Sequence, residues 1–527
     1  MKRYPKIIVS AAAITCLAAS MTACSSGDKG GDASGDKKGG DTLVVQTSFD
    51  LMTIDPARQF EFTGSTVDDA IYQTVLNFDN GDFTKPIDGL CSYEISDDSL
   101  VTTLTCEDTG AKFSNGDPVT VDDIVWSFQR LQGVQGNPSF YLDGVTIAKA
   151  DDKTVTLTSE TANPAIPYIL PNSNLGILNS KVVQENGGTT DESDGAEQFL
   201  NTNSQGSGPY VIETYEPDSR VVLTYNEHYN GPEPKFKRVV MNNVSAETQL
   251  TDIQSGQANV VLDLSPDQVA SLPEGSVQVS SVPSTKTIYI FANDNPEVSD
   301  ITSNEDFREA LSYAVDYDKV LELAGEGASR MASVVPNEFL GAVPVDKAPE
   351  RDLDKVKAAL EKAGYNGEAI PFHYNSDSTV LGVNIALLAE SLQAHLKEAG
   401  INIDLKPAPA ATQLDGYRSG KQPMGIGNWG ADFPDPTNYL TFTPGDAVSM
   451  RAGWVAETAP EVMALKEAAA KATGDARGPA YEALFEAATK TGPFIPLVQP
   501  VQTVVVDNTI TSFVSNADNS FEFATAK

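Results

Sequence analysis

Helices that stop on a glycine and pass the chain directly to an alternating strand recur along this sequence, and they limit the fold more than any other feature. Residues 247–256 read as a short helix ended by Gly256, with a strand at 257–261. The amphipathic helix 353–363 stops at Gly364. Helix 382–399 buries Ile385, Leu388, Leu392 and Leu396 and stops at Gly400, after which Ile401, Ile403 and Leu405 alternate as a strand. Residues 306–316 put Phe307, Ala310, Leu311, Ala314 and Val315 on one helical face. This alternation predicts an α/β fold. A chain of 527 residues exceeds one ordinary core, so length predicts two or three domains.

The first forty residues have a different character. Lys2, Arg3 and Lys6 precede an apolar run at 7–19 that is too short to span a bilayer, which is the pattern of a signal peptide over 1–23. Residues 21–24, Met-Thr-Ala-Cys, resemble a lipobox, in which Cys24 is acylated and becomes the first residue of the mature chain. Residues 25–40 are Gly, Ser, Asp, Lys and Ala only and predict a flexible tether, which as a coil spans about 20–24 Å. The formal charge of −37, from 73 acidic and 36 basic residues, argues against nucleic acid, whose affinity comes from Lys and Arg on phosphates.

Of four cysteines, Cys16 leaves with the signal and Cys24 carries lipid, so Cys91 and Cys106 remain. Residues 90–95 and 101–106 read as two strands around the turn 96–99. A register that sets Cys91 opposite Cys106 also sets Tyr93 opposite Leu104, and in an oxidising location it predicts a disulfide.

Residues 425–436, GIGNWGADFPDP, concentrate an indole, a carboxylate and three glycines. The spacing predicts a strand ending at 424–426 and then a loop, with Pro434 and Pro436 excluding a helix behind it. Gly425, Gly427 and Gly430 match G-x-G-x-x-G by spacing, but a dinucleotide fingerprint must open a helix. Two readings fit: a turn with a packed Trp429 and an Asp432 capping its own backbone, or a ligand site in which a desolvated Asp432 meets an ammonium group.

The stretch 429–436 resembles the W-x-x-D-[YF]-x-D-P segment of the peptide-binding lipoproteins that feed ABC importers, the family 5 extracellular solute-binding proteins. Other segments resemble the same family in the same order: Ile54-Asp55-Pro56 with a first helix at 67–76; residues 113–128, where Thr120 and Asp123 form a capping box; Gly206-Ser-Gly-Pro-Tyr210; and residues 308–316. The resemblance implies a two-lobed periplasmic-binding-protein-like fold of type II, in the large three-subdomain form. One lobe would take 41–80, 206–290 and 498–527 as core and 81–205 as an accessory subdomain. The other would take 291–497, with hinges near 288–293 and 494–499. It also implies a monomeric receptor, lipid-anchored on the outer face of the cell membrane, that gives its ligand to the permease subunits of an ABC importer.

By the same resemblance Asp432 pairs with the α-amino group of a peptide, Trp429 walls the side-chain pocket, and Gly427, Asn428, Gly430 and Ala431 bring backbone close to the ligand. Dipeptide binders of the family carry an Arg for the ligand carboxylate after the strand at 370–374; residues 375–379 hold none, which favours longer peptides. Oligosaccharides and nickel chelates or other cationic solutes are the alternative cargoes. No enzyme reading competes. His228, His373 and His395 share no metal-ligand spacing, and neither G-x-S-x-G nor H-E-x-x-H occurs, so no metal or cofactor is expected.

Overall fold

The structure is a computed structural model that describes residues 40–527 apart from 50, 80–81, 108–109 and 516–520. The signal peptide, Cys24 and residues 25–39 of the tether lie outside the described residues.

Strand Thr42–Thr47 is buried along its whole length rather than alternating, because it runs in the middle of a seven-stranded sheet. Across that sheet the order is Val277–Pro283, Val501–Asp507, Val260–Val261, Thr42–Thr47, Arg238–Asn243, Arg220–Tyr225, Tyr210–Glu216. Its central pairings are parallel and its outer ones antiparallel. A strand covered on both faces needs apolar residues in succession, as Leu43, Val44 and Val45 supply.

The second sheet has five strands in the order Ile403–Ala408, Ile370–Asn375, Met424–Gly430, Lys286–Ala292, Phe494–Val498. Strand Lys286–Ala292 shows why both of its faces are covered. Ile288 and Ile290 enter one core, with helices Glu305–Ala314, Tyr317–Ala324, Leu353–Ala363 and Ile385–Glu398; Tyr289 and Phe291 enter another, with helix Arg477–Thr491 and the aromatic residues Tyr439 and Phe442. Gly256, Gly364 and Gly400 all have positive φ just beyond their helices, so the glycine stops read from sequence are real.

Two connections pass between the sheets. Strand Val277–Pro283 leads through 284–285 into Lys286–Ala292, and Phe494–Val498 leads through 499–500 into Val501–Asp507. The crossing at 284–285 lies upstream of the residues 288–293 expected as a hinge, and 286–292 is ladder of the second sheet. The two crossings are tied together: Ser284 Oγ donates to the Pro500 carbonyl at 2.6 Å, and Gln499 Nε2 donates to the Ser284 carbonyl at 2.8 Å.

A four-stranded sheet, Ser92–Ile95, Val101–Thr105, Thr154–Ser159 and Val145–Asp151, forms the accessory part with helix Val121–Gly133. Thr120 and Asp123 make the reciprocal capping box. Tyr93 pairs with Leu104, and Cys91 is bonded to Cys106. A bridge closing fifteen residues is worth about 3 kcal/mol through the unfolded state. The double variant Cys91→Ser/Cys106→Ser is expected to unfold at lower denaturant, and an unchanged urea midpoint would contradict it.

The first helix spans Phe62–Ile71, not 67–76: Glu61 caps it by accepting from Thr63 and Gly64, and residue 76 already opens a strand. The motif residue Asp55 also has a role that sequence did not suggest. Arg130 donates to both Asp55 oxygens at 2.7 Å and to both Asp194 oxygens at 2.9 Å, and all three side chains are fully buried. Arg58 joins them at 2.7 and 2.8 Å.

His395 lies inside the helical core, 5% exposed, and neither ring nitrogen has a hydrogen-bond partner among the described residues. Burial pushes its pKa down to about 4 against the partial support of Asp316, with Arg351 opposing and Glu398 assisting protonation. The folded chain thus refuses a proton that the unfolded chain accepts from pH 6.5 downward. Stability is expected to fall between about pH 6.5 and 4 by up to about 3 kcal/mol, and His395→Leu should flatten that part of the pH profile. An identical acid slope in the variant would refute this.

Candidate functional site

Strand Met424–Gly430 is longer than expected, so Gly427, Asn428, Trp429 and Gly430 lie on a ladder and the loop begins only at Ala431. The strand pairs antiparallel with Lys286–Ala292, and Ala431 N still donates to the Thr285 carbonyl at 3.2 Å. The glycines are required by this pairing. Gly425 faces Phe291 and Gly427 faces Tyr289, and a Cβ on Gly427 would stand 2.4 Å from the Tyr289 ring. Gly427 is therefore not a point of ligand approach: a buried tyrosine fills the space its missing side chain leaves.

Two-residue periodicity puts Trp429 on the face of Gly427 and Asn428 on the opposite face with Gly430. Asn428 is exposed. Trp429 is half-buried and meets Phe442 edge-to-face at 5.7 Å, and its buried Nε1 has no acceptor among the described residues. The prolines do not exclude a helix. Pro436 opens the 3-10 helix Pro436–Phe442, where a missing N–H costs nothing, and Asp435 caps it through Thr437 N at 2.9 Å. Asp435 also takes Arg477 Nη2 at 2.6 Å, so the second acid of the motif is structural.

Asp432 differs from Asp435. It is half-buried, and its Oδ2 accepts from Asn438 Nδ2 at 3.0 Å while its N–H donates to Asn438 Oδ1 at 3.1 Å. Among the described residues no Lys or Arg pairs with it, and its other oxygen has no partner. Burial raises its pKa above the usual carboxylate value, offset only in part by Asn438. The backbone of the same residue reaches the accessory subdomain: its carbonyl accepts from Tyr141 Oη at 3.0 Å and from Asn172 Nδ2 at 3.3 Å, and the Phe433 ring lies 6.4 Å from that of Tyr141. Tyr141, Asn172 and Asn438 were not legible as site residues, since each acts through a partner distant in sequence or across a turn. An unpaired, desolvated anion held where the second sheet's loop meets the accessory subdomain is what a receptor for a positively charged group needs. Among the described residues there is no group of three His, Cys, Asp or Glu that could hold a metal.

Two sheets joined by two chain crossings, with the loop after Gly430 reaching the accessory subdomain, make a two-lobed α/β architecture. The family model "Bacterial extracellular solute-binding proteins, family 5 Middle" matches residues 86–449. A probable D,D-dipeptide-binding periplasmic protein of Escherichia coli strain K12, DdpA, is 29% identical over 412 residues, covering 76% of this chain and 77% of its own. Among solved structures, the ABC transporter substrate-binding protein CtaP of Listeria monocytogenes has a TM-score of 0.81 at 20% identity, over 93% of this chain and 99% of its own. The periplasmic binding protein DppA of Helicobacter pylori, in complex with the peptide STSA, has a TM-score of 0.72 at 21% identity, over 92% and 97%. The chain belongs to the family 5 bacterial extracellular solute-binding proteins. Its fold is the type II periplasmic-binding-protein fold.

Proposed function

We propose that this protein captures peptides by their free α-amine, longer peptides in preference to dipeptides, and presents them to an ABC importer from a lipid anchor at Cys24. The observation that carries this reading is the Asp432 carboxylate, desolvated and without a cation among the described residues. An ammonium brought by the ligand supplies the missing charge, and Trp429 Nε1, three residues earlier and without an acceptor among the described residues, is a further donor. The naming of DdpA and the peptide in the DppA complex support peptides as the cargo class. The lobes close about the crossings at 284–285 and 499–500, and the ligand favours the closed state by the contacts it makes only there.

A thermal-shift screen of the secreted protein against peptides, oligosaccharides and nickel chelates tests the reading. Peptides with free amines are expected to raise the melting temperature, by an amount that grows with the logarithm of their concentration above Kd, since only the folded state binds. A shift with sugars or nickel chelates and none with peptides would replace the reading.

A further inference from the structure

Helix Pro266–Ala270 belongs to the first sheet's part of the chain, in the connection between strands Val260–Val261 and Val277–Pro283. Its start is well fixed: Ser265 and Gln268 form a reciprocal capping box, and Pro266 stands in the first turn, where its missing N–H costs nothing. The Pro266 ring sits between two glycine turns of the second sheet's part. A Cβ on Gly325, which ends helix Tyr317–Ala324, would stand 2.5 Å from Pro266 Cγ. One on Gly382 would stand 3.0 Å from Pro266 Cδ and 3.6 Å from Ser265 Cα. Both glycines have positive φ, 86° and 84°, so backbone and space each disfavour a side chain there.

The turn at Gly382 carries strain. Val380 pairs with Val383, which leaves Leu381 and Gly382 as a two-residue hairpin turn, and Leu381 has a φ of 47°. Such turns favour Asn-Gly or Gly-Gly. A leucine in the left-handed region persists only where its surroundings over-determine the shape, and such positions mark functional contacts. Strand Ile370–Asn375, which leads into this hairpin, runs parallel to Met424–Gly430, so the hairpin and the Asp432 loop rise from the same end of the sheet. It is also one strand further than Met424–Gly430 from the strands that carry the crossings. Separation about the crossings therefore carries the hairpin through a longer arc than Asp432. The structure holds this contact together with those of the Asp432 carbonyl to Tyr141 and Asn172, so both belong to one arrangement of the lobes.

We propose that Ser265 and Pro266, seated between Gly325 and Gly382, form a latch that joins the lobes when they close and parts when they open. It keeps a share of the free receptor closed with no ligand bound. The inference rests on lobe closure as proposed above and not on the class of cargo.

Small-angle scattering of protein refolded free of ligand tests it in the wild type, in Pro266→Ala and in Ser265→Cys/Gly382→Cys. Pro266→Ala keeps the capping box and removes the ring carbons that reach the turns. In the double variant the two positions are close enough for a bridge. The radius of gyration is expected to rise in the order oxidised double variant, wild type, Pro266→Ala. Reducing the double variant should enlarge it, with the wild type in the same reductant as the control for Cys91–Cys106. An oxidised variant with the wild-type radius would show a fixed pivot that never parts. Pro266→Ala at or below the wild-type radius would show a contact that does not favour closure. A bridge that fails to form in oxidant would show that the two turns do not meet. Each of these results overturns the latch and leaves the amine reading, which peptide titration tests separately, intact.

Discussion

Asp432→Asn is expected to weaken peptide binding by about 30-fold to several thousand-fold, the cost of removing one partner from a buried charge pair, while the unliganded protein stays as stable as the wild type or gains slightly. The two halves of this result share one cause. In the free receptor the carboxylate is held away from water with only Asn438 to stabilise it. An amide of the same shape loses no ion pair and avoids that desolvation cost. The sign with pH follows. Because the folded acid titrates above the ordinary Asp value, its contribution to apo stability declines as pH rises from the unfolded value through the folded one. Ligand affinity moves the other way and falls as acid protonates the group. Calorimetric titration with one peptide across pH, alongside thermal unfolding of both apo proteins, measures each part; a variant that binds as tightly as the wild type would remove Asp432 from the site.

Arg130→Met produces the opposite pattern, a large loss of stability with no direct role in ligand contact. Both Asp55 and Asp194 are fully buried, and each gives two oxygens to the one guanidinium. Removing it leaves two carboxylates sharing the half-buried Arg58. Breaking such an arrangement costs about 3–5 kcal/mol, and the damage falls where the N-terminal segment, helix Val121–Gly133 and the 189–196 turn meet. Urea unfolding is expected to show a markedly lower midpoint or no soluble product. The triple variant Asp55→Asn/Asp194→Asn/Arg130→Met, which removes the charges together, should recover part of the loss. A single variant that unfolds with the wild-type midpoint would show that the network contributes little.

Local patterns in the sequence were legible wherever the physics is local. The glycine stops at 256, 364 and 400, the capping box at Thr120 and the Cys91–Cys106 hairpin each follow from a few adjacent residues, and each stands in the structure. Misreadings arose where a partner far along the chain decides. The glycine at 427 read as a loop for ligand approach, yet it stands there because Tyr289 lies across from it, as Phe291 lies across from Gly425. The chain crossing lies a few residues upstream of 288–293 because apolar residues at 288–291 cannot reveal which of two sheets they join. Asp55 and Asp435 belong to motifs recognised by order alone, and only the fold brings Arg130 and Arg477 to them.

Calorimetric titration of the wild type with a single peptide in two forms, one with a free α-amine and one N-acetylated, isolates the charge on which the functional reading depends. The free amine is expected to bind and the acetylated form to bind too weakly to detect, with the difference vanishing in Asp432→Asn. Equal affinity of the wild type for both forms would contradict the account, because the buried acid would then have no partner to receive.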